Sequence, residues 1–139
     1  MNYPRVALAA LVVWVAFLAV GYLVNAYMLA KLYAAHEALF RPDADVNVVL
    51  GFGAQLLGFF AFAYMYAKGY EGTNGAQEGL RFGVLVGLLL VGFGAAWNYA
   101  ALRVSDALGV AWVIDGLVEM SLYGIIVGLV YRPRAAFSK

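Results

Sequence analysis

Two carboxylic acids stand where an apolar chain rarely places them. Asp115 and Glu119 are the only charges in the 25 residues between Asp106 and Arg132. An ionisable side chain at membrane depth costs at least about 2.5–3.5 kcal/mol on insertion scales, so the pair needs a reason. Four residues apart, the two share one helical face. Two carboxyls this close in low dielectric should not both ionise, and they titrate as a unit. Three chemistries fit: a proton relay, a cation site, or two neutral acids hydrogen-bonded to amides. The amides exist, because Asn25, Gln55 and Asn98 each interrupt one of the other apolar stretches. At a rise of roughly 1.5 Å per residue, Asp115 lies about 13 Å and Glu119 about 20 Å below Asp106. Gln55 lies about 15 Å below Asp45, and Asn25 and Asn98 about 7–9 Å below the same surface. Five polar side chains are thus expected to converge on one half and the centre of the molecule, with Ser121 as a further member. The competing expectation is interhelical glue, worth under about 1–2 kcal/mol per residue. The amides read first as glue, while the two acids stand open between glue and function. Lys31 and Arg103 lie too near the surface to partner Glu119, although Arg103 could reach toward Asp115.

The rest of the polar inventory excludes more than it offers. There is no cysteine, which removes disulfide scaffolds, thiol redox chemistry, zinc-thiolate sites and iron–sulfur clusters. His36 is the only histidine, so no bis-histidine haem or histidine metal cluster is expected, and no metal or cofactor is assigned. His36 itself is expected to be a solvated or interfacial side chain. Arg41, Asp43 and Asp45 read as a charged loop before they read as a cation site. No phosphate-binding loop, dinucleotide fingerprint or nucleophile elbow occurs, so no catalytic residue is assigned. Nine basic against eight acidic residues leave a net charge of +1, with no basic stripe for nucleic acid.

What must position these residues is a set of membrane helices. Of 139 residues, 65% are hydrophobic and 12% charged, against about 25% charge in soluble domains. Besides the stretch already described, 25 residues between Arg5 and Lys31, 22 between Asp45 and Lys68 and 21 between Arg81 and Arg103 carry no Asp, Glu, Lys or Arg. A hydrocarbon core of about 30 Å needs roughly 20 helical residues. Barrel strands would be about ten residues long and alternating, whereas helices satisfy their own backbone in lipid. The pattern predicts one all-α membrane domain over 1–139, an integral membrane four-helix bundle with spans at about 6–30, 46–67, 80–102 and 108–131. Val24-Asn25-Ala26 looks like a signal-cleavage site, but the preceding apolar run of about 19 residues exceeds the 7–15 of a signal core, so the first span is expected to be retained.

Arg5, Lys68, Arg81, Arg132, Arg134 and Lys139 fall on one side, and Lys31, Arg41 and Arg103 on the other. Under the positive-inside rule both termini belong in the cytoplasm, in a bacterial inner membrane. The inner loop from Gly69 to Glu78 is rich in turn formers, with Asn74-Gly75 expected as its tightest point. The outer loop from Lys31 to Asp45 begins without a breaker and meets one at Arg41-Pro42, so span 1 is expected to run on as a helix above the membrane or to bend into an interfacial one. The very short Arg103–Asp106 connection makes spans 3 and 4 antiparallel neighbours. Gly21 to Leu29 matches Gly94 to Leu102, with Asn25 over Asn98. The match points to two helical hairpins related by a pseudo-twofold along the membrane normal, or to coincidence in a restricted alphabet. Gly79, Gly83 and Gly87 form a small-residue ladder on span 3, and Gly124 and Gly128 repeat the spacing on span 4. Such ladders let backbones approach closely in lipid. They serve either spans 3 and 4 of one chain or a homodimer face.

Several segments carry a resemblance. They are Leu32-Tyr33-Ala34-Ala35 with Leu39-Phe40-Arg41-Pro42, Tyr66-Ala67-Lys68-Gly69-Tyr70-Glu71-Gly72, Glu78-Gly79-Leu80-Arg81-Phe82-Gly83, and Gly128-Leu129-Val130-Tyr131-Arg132-Pro133. Through them nearly the whole chain resembles uncharacterised small bacterial four-transmembrane-helix proteins, a domain-of-unknown-function class. The resemblance implies four helices and no activity. It draws attention to the inner loop, where Glu71 or Glu78 would pair with Lys68 or Arg81. The function expected is a non-enzymatic integral membrane protein whose partners are the lipid bilayer and either further copies of itself (a homo-oligomer) or a larger membrane complex. The alternative is a small transporter or channel using Asp115 and Glu119 for proton or cation coupling. A membrane enzyme acting on a lipid or quinone has little beyond the acids to support it.

Overall fold

A computed structural model of the chain describes residues 1–132. Pro133, Arg134 and Lys139, which entered the resemblance and the charge count, lie outside the described residues. Four helices are long and apolar enough to cross a membrane: α1 (Tyr3–Met28), α2 (Val48–Lys68), α3 (Gly75–Ala101) and α4 (Asp106–Val130). Among the described residues there is no strand.

Each helix starts on a side-chain cap. Asn2 accepts from the Arg5 N–H at 3.2 Å, with Pro4 in the first turn, where its missing donor costs nothing. Asn47 accepts from Leu50 at 2.9 Å, Asn74 from Ala76 and Gln77, and Ser105 from Leu108 at 3.3 Å. These bonds satisfy backbone donors that a helix leaves open at its first turn. Asn74-Gly75 is therefore a helix start, where a turn apex was expected. The chain reverses instead at Gly72, whose φ of +77° falls in the left-handed region that glycine enters freely.

The α1–α2 connection does not continue α1 as one straight helix. The helix breaks at Leu29, restarts for Ala30–Ala34, and continues through single 3₁₀ turns at Glu37–Leu39 and Asp43–Asp45. Two π turns, Val24–Met28 in α1 and Val91–Ala95 in α3, lie toward this end of the bundle. They are offset by 67 residues, not by the 73 that superposes Asn25 on Asn98.

The helices pack in the order α2–α1–α4–α3, and aromatic rings close α2 onto α3: Phe62 lies 4.7 Å and Tyr66 5.5 Å from Phe82. The two hairpins are joined by different means. Between α3 and α4, Gly75 and Gly79 lie directly on Gly128 and Gly124, Gly83 on Met120 and Ser121, and Gly87 near Gly116. Between α1 and α2 the contact runs through larger side chains, including Phe17 on Phe59 at 5.3 Å.

The core is concentrated at one end. Val6, Ala9, Ala10 and Val13 of α1, Phe59, Phe62, Ala63 and Tyr66 of α2, and Tyr123, Val127 and Tyr131 at the end of the chain form one buried cluster. All lie toward the end that carries the N-terminus, called here the terminal end. Toward the opposite end, the loop end, large apolar side chains face outward, among them Val49 (85% exposed) and Phe93 (83%). In a soluble protein so much exposed apolar surface would drive aggregation, whereas in a bilayer lipid covers it.

Candidate functional site

Glu119 sits near the middle of α4, buried with 8% of its surface exposed. The Tyr123 hydroxyl, one turn on, donates to Glu119 Oε2 at 2.9 Å. The other oxygen, Oε1, is buried and has no hydrogen-bond partner. An unsatisfied buried polar atom normally costs about 1–3 kcal/mol, so this oxygen needs a reason beyond packing. Tyr123 is itself fully buried, its ring packed edge-on against Phe17 at 6.1 Å and Phe59 at 5.6 Å. Tyr123 and Phe59 belong to the terminal-end core, with Phe17 packed against it. Asp115, one turn toward the loop end, is half-buried on the same face of α4. Tyr123 thus covers Glu119 on the terminal side.

The amides fall elsewhere. Asn25 is exposed and turns its Nδ2 back onto the Gly21 carbonyl of its own helix at 2.7 Å. It shares a cavity of about 620 Å³ between α1 and α2 with Gln55, Trp14, Phe17 and Phe52. Gln55 Oε1 and Trp14 Nε1 are both buried without partners. Asn98 is exposed on α3 beyond its π turn. Ser121 donates to the Leu117 carbonyl of its own helix at 2.6 Å. Among the described residues no three acids or histidines gather into a metal-holding group.

Three polar residues gain roles that the sequence reading missed. Tyr123 is the first; its spacing of four from Glu119 was the available signal. The second is Glu78, buried at 7% exposure in the first turn of α3. Its Oε1 accepts from the Glu71 N–H at 2.7 Å, and its Oε2 from the Thr73 N–H and hydroxyl, both at 3.2 Å. Here the carboxylate organises the loop backbone, where a surface pairing with Lys68 or Arg81 was expected. The helix N-terminus stabilises its charge further. The third is His36, which accepts from the Ser105 N–H at 3.0 Å. Beside it, Trp112 Nε1 donates to the Tyr33 hydroxyl at 3.1 Å. The α1–α2 loop is therefore fastened onto the α3–α4 turn, and the half-exposed His36 also serves as a structural tie.

No family model, curated protein or solved structure matches this chain. The resemblance drawn from the sequence is thus left without an identified family. What fold, hydropathy and site define together is a class: a four-span integral membrane protein, in contact with the lipid bilayer, with a buried carboxyl at mid-span.

Proposed function

We propose that this membrane protein takes up a proton at Glu119, reached from the loop end by way of Asp115, as the working step of a small transporter or channel. The observation that carries this reading is the buried, unpartnered Oε1 of Glu119 beside a second oxygen already held by Tyr123. The donor set favours a proton over a metal cation. A hard cation takes about six or more oxygens, or about one or two carboxylates with several retained waters. Glu119 has one free oxygen, and the Tyr123 hydroxyl presents its hydrogen to the other. α1, α2 and α3 bring no Asp, Glu, Lys, Arg or His to mid-span, so neither a further anionic ligand nor a compensating cation stands opposite.

The alternative, an oligomeric or accessory subunit, draws its sequence support from the small size, the lack of catalytic motifs and the glycine ladder. That ladder lies against α4 of the same chain and is not available to a second copy. We further place both termini in the cytoplasm of a bacterial inner membrane. Arg5, Lys68, Arg81 and Arg132 at the terminal end, with Arg134 and Lys139 in sequence, outweigh Lys31, Arg41 and Arg103.

The test is reconstitution of the purified chain into liposomes containing a pH-sensitive dye, with a potassium diffusion potential as the driving force. Wild type should acidify or alkalinise the lumen according to the sign of the potential. Glu119→Gln should abolish the response while eluting as wild type on size exclusion. Wild-type liposomes no leakier than empty ones, or an unimpaired Glu119→Gln variant, would refute the reading. A silent wild type that co-purifies with another membrane protein at fixed stoichiometry would establish the accessory role instead.

A further inference from the structure

His36 makes a tie that only one protonation state allows. The Ser105 backbone N–H can only donate, and it points at His36 Nε2 from 3.0 Å, so Nε2 must present a lone pair. The Leu32 carbonyl can only accept, and it lies 2.7 Å from His36 Nδ1, so Nδ1 must carry the hydrogen. The two partners together demand a neutral ring in the Nδ1–H form. Histidine is the side chain whose charge changes between pH 5 and 8.

The bond joins residues 69 positions apart, and the Trp112–Tyr33 bond beside it joins residues 79 apart. Both cross from the α1–α2 loop to the start of α4. Ser105 is also the N-cap of α4, the helix that bears Asp115 and Glu119. The charged groups of the two joined segments are Lys31, Glu37, Arg41, Asp43 and Asp45 on the loop, and Arg103 and Asp106 on the turn. Asp106 is engaged by the Tyr99 hydroxyl at 2.6 Å.

We propose that His36 is an acid-released latch. Protonation places a hydrogen on Nε2 against the Ser105 N–H, the bond is lost, and the α1–α2 loop keeps only the Trp112–Tyr33 bond beside it, so its hold on the cap of α4 loosens. The latch rests on geometry outside the membrane and stands whether or not Glu119 carries protons.

Because the chain has one histidine, ¹⁵N-histidine labelling of the full chain in nanodiscs yields a single imidazole. It should be in the Nδ1–H form at pH 8, and an Nε2–H form would overturn the proposal. Amide exchange of residues 33–40 and of Ser105, corrected for the intrinsic pH dependence, should accelerate about five- to thirtyfold between pH 8 and pH 5. His36→Gln, whose amide oxygen can accept from Ser105 at any pH, should lose that acceleration. An unchanged wild type, or the same acceleration in His36→Gln, would overturn it. Should the variant fail to fold, the wild-type tautomer and exchange profile decide the matter alone.

Discussion

Adding one methyl group at Gly79 should separate α3 from α4. A Cβ there would overlap the Gly124 carbonyl oxygen, stand 2.8 Å from its carbon, and lie 3.2 Å from Gly128 Cα. Ordinary contact begins near 3.4 Å, and these obstacles are backbone atoms that cannot rotate away. The helices must therefore part by roughly 1 Å at this level, and a gap of about 0.5–1 Å forfeits a quarter to a half of the dispersion attraction between facing atoms. In lipid that attraction is a main force holding helices together. Gly79→Ala should thus cost about 1–3 kcal/mol, the range for overpacking a close-fitted interior. Two controls sharpen the expectation. At Gly87 a Cβ meets Gly116, Leu117 and Met120 at 3.3 Å each, so Gly87→Ala should cost less, under about 1 kcal/mol. At Gly58 of α2 nothing lies within 4 Å, and Gly58→Ala should be neutral or stabilising by up to about 1 kcal/mol through helix propensity. Unfolding in mixed micelles with increasing dodecyl sulfate, followed by tryptophan fluorescence, ranks the three. Equal stability of Gly79→Ala and Gly58→Ala would refute the claim that glycine contact joins the second hairpin.

Two further outcomes follow from the terminal-end loop and from the chain's orientation. Glu78→Ala removes the acceptor of three hydrogen bonds to the Glu71–Thr73 segment. Bonds to a charged acceptor contribute about 1.5–3 kcal/mol each, so trypsin should cut after Lys68 at least about tenfold faster in the variant, and an unchanged cutting rate would show that the carboxylate does not hold the loop. The chain contains no cysteine, so single replacements report sidedness directly. With cytoplasmic termini, Ala38→Cys should react with an impermeant maleimide on intact spheroplasts and Glu71→Cys only after lysis; the reverse pattern would invert the proposed topology.

Composition and spacing alone determined that lipid is the solvent and that the chain is helical. Twenty or more residues without charge, repeated four times, leave few other ways to satisfy a backbone in hydrocarbon. They also exposed Asp115 and Glu119, because two acids are conspicuous in a stretch otherwise free of charge. Which partners those residues meet was not legible there, since a helical face says which way a side chain leaves its own axis and nothing of what stands opposite. Tertiary packing placed the ladder of Gly79, Gly83 and Gly87 against α4, set Asn25 and Gln55 around a separate cavity, and left Asn98 exposed. It buried Tyr123 beneath Glu119. It also carried His36, a lone loop residue with no local signal, onto the backbone of Ser105. Contacts between residues about seventy positions apart depend on the rotation and crossing of whole helices. Those are fixed jointly by every interface in the bundle, so no local pattern of residues can encode them.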